Sequence, residues 1–108
     1  MNTITESSNE MQSYTAVGGA NWGFWGASSP FVSLTATQEH LTLSFLAWDV
    51  LSIQSKNVKE ICIYKRFGSE GIKIIHCQKD CPEFVVFGSR DLKSLIEALR
   101  DLGYSIKD

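Results

Sequence analysis

The first 55 residues contain no lysine and no arginine, although the 108-residue chain carries ten basic residues. That stretch holds four acids, Glu6, Glu10, Glu39 and Asp49, and is net −4. Residues 56–108 combine all ten basic residues with eight acids and are net +2, so the chain as a whole is −2. No strongly basic face is available to concentrate on phosphates, which argues against a nucleic-acid partner. Long apolar runs are missing too. None approaches the ~20 residues a membrane-spanning helix needs. Met1 to Glu6 lacks the basic and apolar regions of a secretory signal. Cysteine is scarce, and its count of three is odd, which fits a reducing compartment better than a disulfide framework. These absences predict a cytoplasmic chain with no transmembrane segment.

What remains is room for one domain. Residues 1–16 are polar and aperiodic and read as a flexible tail, leaving 17–108 as a single globular unit. In Val17 to Pro30, glycines alternate with Trp22, Phe24 and Trp25. So many glycines exclude a helix and suggest an irregular edge strand. From Phe31 the period is two. Val32, Leu34 and Ala36 share one face, Leu41, Leu43 and Phe45 the next, then Leu51 with Ile53, Ile61 with Ile63, and Ile72 with Ile74 and His76. Gln38-Glu39-His40 and Gly68 to Gly71 separate strands as turns. Phe84 to Phe87 is apolar throughout, as in a strand covered on both faces. Leu92, Leu95, Ile96, Leu99 and Leu102 then recur at helical spacing. Ser89 stands where an N-cap would, and Gly103 where a C′ residue would. The expected architecture is α+β, mainly β: a curved antiparallel sheet or partly open barrel of six to seven strands, capped by one C-terminal helix.

From Phe31 to Tyr104 this order of elements resembles the small bacterial members of the pleckstrin-homology-like superfamily. The closing Phe84-Val85-Val86-Phe87-Gly88-Ser89, with its helix, is similar to their last strand and capping helix. The resemblance implies that fold and a binding or scaffolding role toward lipid headgroups, peptides or proteins. It brings no catalytic residue with it. Phosphoinositide-binding members present basic residues on the first strands and the loop joining them. Here that loop reads as Gln38-Glu39-His40 and nothing before Lys56 is basic, so phosphoinositide binding is not expected.

Chemistry-bearing residues are few. Cys62, His76, Cys77 and Cys81 invite a zinc reading, yet only Cys77-x₃-Cys81 has ligand spacing, and His76 and Cys77 fall on opposite strand faces. No metal, cofactor or catalytic residue is assigned. His40 and His76 read as turn and structural histidines. Gly18, Gly19, Gly23 and Gly26 lack the strand–helix context of a nucleotide loop. Lys65, Arg66 and Lys73, around the 68–71 hairpin, form a candidate anion site against the plainer reading of a solubilising surface. Trp22, Phe24, Trp25 and Trp48 form the candidate partner surface, with Trp22 and Phe24 expected on one face and Trp25 on the other. The competing reading makes these rings the plug of a small barrel. The expected function is a non-catalytic binding or protein-interaction module, for another protein or for self-association. The alternative is a small-ligand-binding protein or small enzyme with a pocket between sheet and helix.

Overall fold

Alternating apolar and polar residues build nearly all of this molecule. The computed structural model describes residues 12–66 and 69–107. In chain order it has β1 (Ser13–Trp22), β2 (Trp25–Thr37), β3 (His40–Phe45), β4 (Trp48–Gln54), a 3₁₀ turn (Ser55–Asn57), β5 (Val58–Arg66), β6 (Ser69–His76), β7 (Val85–Ser89), helix α1 (Leu92–Asp101) and the two-residue β8 (Ile106–Lys107). All eight strands form one open, curved sheet in the order β4-β3-β2-β1-β7-β6-β5-β8. Every pairing is antiparallel except the short parallel contact of β8 with β5. The fold is α+β, mainly β.

The strand faces follow the period-two reading. Val32, Leu34, Leu41, Leu43, Ile53, Ile61, Ile72, Ile74, Val85 and Phe87 point to the concave side and are at most 1% exposed. Across β2 and β3 they meet as the pairs Leu34↔Leu43 and Ala36↔Leu41, the cross-strand contacts that stabilise a sheet. Val86 is buried as well, so β7 is covered on both faces.

Helix α1 lays its stripe on this face. Leu95 and Leu99 are completely buried, and Leu92, Ile96 and Leu102 pack beside them. The N-cap is Asp91 rather than Ser89: its carboxylate accepts the Ser94 N–H at 3.2 Å, a bond that holds the Asp91 carboxyl below its ordinary pKa. Ser89 is unavailable because it still pairs with Gly18 in the sheet and donates its hydroxyl to the Val17 carbonyl. The C-terminus closes as a Schellman motif, with Gly103 N–H on the Arg100 carbonyl, Tyr104 N–H on the Leu99 carbonyl and Gly103 at φ +101°. Tyr104, 8% exposed, then donates its hydroxyl to the Thr37 carbonyl at 2.6 Å, tying this end of the chain to the end of β2. Burial pushes its phenol pKa up to about 12.

Three expectations are corrected. Strand β1 begins at Ser13, inside the stretch read as a 1–16 tail; residues 1–11 of that stretch lie outside the described residues. Val17 to Pro30 is not an edge strand but two arms of a hairpin at the centre of the sheet, with β1 lying between β2 and β7. With that hairpin and β8 counted, the described residues form eight strands rather than about six to seven. Central placement also explains Gly18. A side chain there would drive its Cβ into the Gly88 carbonyl on β7, so the close approach of the two strands requires glycine.

Candidate functional site: the aromatic end of the sheet

Two hairpin turns build this site. At the first, β1 reverses into β2 over Gly23-Phe24, with Gly23 at φ +63° in the first central position, where a two-residue hairpin loop often needs positive φ. The Gly23 N–H donates to the Phe84 carbonyl at 2.9 Å, which pins the turn against the segment after β6. Phe24 sits at the tip, fully exposed. Trp22 and Trp25 are direct cross-strand partners and share the concave face, contrary to the expected split, because a two-residue turn sets its flanking residues opposite each other. Trp22 packs partly against the core, whereas Trp25 is 71% exposed.

The second turn, Leu46-Ala47, joins β3 to β4. Leu46 has φ +58°, a left-handed conformation uncommon for a residue with a Cβ, and its side chain is 65% exposed. Its N–H donates to the Phe31 carbonyl at 2.9 Å. Phe45 and Trp48 flank this turn as a cross-strand pair, with Phe45 against the core and Trp48 78% exposed. One extra residue in β4, Val50, breaks the register between Leu51 and Asp49. Trp22, Trp25, Ala27, Phe45 and Val50 together line a concavity of about 440 Å³.

The helix does not cover this end. Strand β7 starts with Val85 opposite Trp22 and ends with Ser89 opposite Gly18, so the chain has moved away from the Trp22–Trp25 turn before α1 begins. Tyr104 then anchors the far end of the helix at Thr37, the opposite terminus of β2 from Trp25.

Beside the concavity, β4 is the edge of the sheet. Its lower half is closed mainly by one side chain, with the Cys81 thiol also donating to the Ser52 carbonyl at 3.6 Å. Gln78 accepts the Gln54 N–H at 2.7 Å and donates to the Ser52 carbonyl at 2.6 Å, so its amide stands in for the peptide group of a neighbouring strand. His76 holds the loop that carries Gln78. One ring nitrogen accepts the Gln78 N–H at 3.0 Å and the other lies 2.8 Å from the Pro82 carbonyl, the arrangement that a neutral ring protonated on Nε2 satisfies. The histidine is a structural clasp with both nitrogens engaged.

The other candidates separate. Among the described residues no group of three or more His, Cys, Asp or Glu side chains could hold a metal. Cys62, Cys77 and Cys81 are free thiols. Burial, with the Asp80 carboxylate alongside, pushes the Cys81 thiol pKa up and keeps it protonated. Lys65 lies on the same side of β5 as Ile61 and Ile63 and pairs with Glu70 at 3.4 Å. Lys73 lies on the other side of β6 from Ile72 and Ile74, with its ammonium 5.5 Å from the Phe84 ring centroid. These two cations therefore do not converge, and the side chain of Arg66 lies outside the described residues. Leu46, Phe45, Val50 and Gln78 were not foreseen. The two-residue gap between Phe45 and Trp48 was the available signal for a hairpin, but it carries no glycine, asparagine or aspartate.

No protein-family model matches this chain, and no curated protein sequence matches it.

Proposed function

We propose that the chain is a non-catalytic interaction module of pleckstrin-homology-like type, and that its partner binds the aromatic end of the sheet. A single observation carries the reading. Phe24 and Trp25 at the first turn and Leu46 and Trp48 at the second are exposed, and the concavity lined by Trp22, Trp25, Phe45 and Val50 joins the two hairpins, while the core face elsewhere packs against Leu95 and Leu99. Contiguous exposed apolar surface of this kind marks interaction sites, and tryptophan is enriched where binding energy concentrates. The strained turn at Leu46 points the same way. A glycine there would be cheaper and more soluble, so an exposed leucine in a left-handed conformation is a cost without return in folding. The superfamily reading is supported by the curved antiparallel sheet and by the single helix following the last long strand. Binding is favoured over chemistry by the fully engaged His76 and by the filled contact of helix and sheet.

The test is affinity capture from the native lysate with the full chain and with the double variant Trp25→Ala/Trp48→Ala, after circular dichroism has shown both folded. The reading expects proteins held by the wild type and released by the variant. Identical capture by both proteins removes the aromatic end from the function.

A further inference from the structure

We infer that the open stretch of β4, residues 48–51, takes an extended peptide as a ninth strand, with a large apolar side chain in the adjoining concavity and a basic side chain against Asp49. The inference rests on the reading of the aromatic end as the binding surface, and it names the kind of partner.

The backbone makes the first argument. Among the described residues β4 pairs only with β3, so its outer row of N–H and C=O groups faces away from the sheet. An unprotected edge of this kind is a template for another strand, and proteins usually blunt it with shortness, lysine, proline or a covering loop. The opposite edge of the sheet follows that rule, since β8 is two residues long and ends in Lys107. In β4, Gln78 closes Ser52 and Gln54 and stops there. Residues 48–51 contain neither lysine nor proline, and their side chains include the exposed Trp48 and Val50.

Side chains make the second argument. Strand addition draws affinity from main-chain hydrogen bonds and specificity from pockets that receive alternate side chains. Val50, the extra residue of β4, lines the 440 Å³ concavity together with Trp22, Trp25 and Phe45. A side chain of an added strand on the concave face would enter that space directly.

Charge selects the occupant. Residues 25–54, which span β2 to β4 and the turns between them, contain Glu39 in the β2–β3 turn and Asp49 in β4, and no lysine or arginine. Asp49 is exposed within the open stretch, where among the described residues its carboxylate accepts only the Ser44 hydroxyl, at 2.6 Å. Asp80 marks the lower limit of the stretch, held at 2.9 Å by the same Gln78 nitrogen that bonds the Ser52 carbonyl. Lys79 is the one basic residue in the loop of residues 77–84, which also contains Asp80 and Glu83. The complement is a cationic, apolar segment. A second copy of this chain fits worse. Antiparallel pairing of β4 with β4 puts two Asp49 carboxylates into one ladder about four residues long, and like charges facing across strands destabilise it. An anionic lipid surface would meet no cation here.

Fluorescence anisotropy of the full chain with three labelled, end-capped octapeptides tests the inference. One alternates lysine with leucine, the second alternates glutamate with leucine, and the third is the lysine–leucine peptide with alternate backbone amides N-methylated. The lysine–leucine peptide should bind, with the other two at least about tenfold weaker. Trp25→Ala should weaken it by about tenfold and Asp49→Asn by several-fold, both in proteins with wild-type circular dichroism. Absence of binding, or equal binding of the N-methylated peptide, overturns strand addition. Trp25-dependent dimerisation in sedimentation overturns it in favour of a second copy, and retention on neutral phosphatidylcholine vesicles in favour of lipid. If lysate capture depends on Trp25 and Trp48 while all three peptides fail, the peptide inference falls and the module reading stands.

Discussion

The two ends of the concave face present the same kinds of side chain and treat them oppositely. Toward Thr37, the sheet is roofed by Leu95 and Leu99 and sealed by Tyr104, and Leu34, Leu41, Leu43, Ile53, Ile61 and Ile74 are at most 1% exposed. Toward Trp25 the same face continues through two cross-strand aromatic pairs, Trp22 with Trp25 and Phe45 with Trp48, and no helix among the described residues roofs it. Apolar residues at the first end contribute to stability because folding removes them from water. At the second end they leave water only when something else arrives. Composition cannot distinguish these cases; the position of the helix does.

The comparison breaks hardest at the helix. Leu99→Ala empties a fully buried site and should cost about 2–5 kcal/mol in denaturant unfolding, a large part of the stability of a domain this small. An unchanged midpoint would mean the helix is not what closes the core.

Tyr104 sharpens the same end. Tyr104→Phe loses the hydroxyl bond to the Thr37 carbonyl and should cost about 0.5–1.5 kcal/mol. Its raised pKa also fixes a pH signature. The folded state keeps the phenol neutral, so its contribution is complete below the ordinary value of 10.0 and is lost as pH rises through about 12. Alkaline unfolding followed by phenolate absorbance should show that decline in the wild type, and Tyr104→Phe should flatten it.

At the other end substitutions should help or do nothing. Leu46→Gly relieves a left-handed residue, which costs about 1–2 kcal/mol. Greater freedom of glycine in the unfolded chain offsets about 0.5–1 kcal/mol of that gain. The net expectation is a stabilisation of roughly 0.5–1 kcal/mol, read as a higher midpoint. A lower midpoint would show that the leucine side chain stabilises the turn.

The sequence carried the capped end well and the open end badly, for reasons that can be named. A stripe such as Leu92, Leu95, Ile96, Leu99 and Leu102 has one geometric solution, and Gly103 marks its end. Strands from Phe31 onward were legible because one face is dry and the other wet, which writes period two into the residues. The first hairpin left no such record. Its turn places Phe24 where turn residues are usually small or polar, and its arms slip register between Gly18 and Ala20. With the reversal unseen, Trp22 and Trp25 were assigned to opposite faces and β1 to an edge. The loop joining the first strands was also misplaced at Gln38-Glu39-His40, when it is Gly23-Phe24. Ser89 has the spacing of an N-cap, but spacing alone does not show that β7 still uses it. The edge latch of Gln78 was beyond reach, since it joins residues 24 and 26 apart in the chain through a side-chain amide.

The central claim is that the aromatic end is surplus to folding. Denaturant unfolding of Trp25→Ala/Trp48→Ala against the wild type tests it most directly. Side chains 71% and 78% exposed should contribute little, so the account predicts a change within about 0.5 kcal/mol per site and an unaltered m-value. A loss of about 3 kcal/mol or more, the scale of removing a buried aromatic, would contradict it and make these tryptophans part of the core.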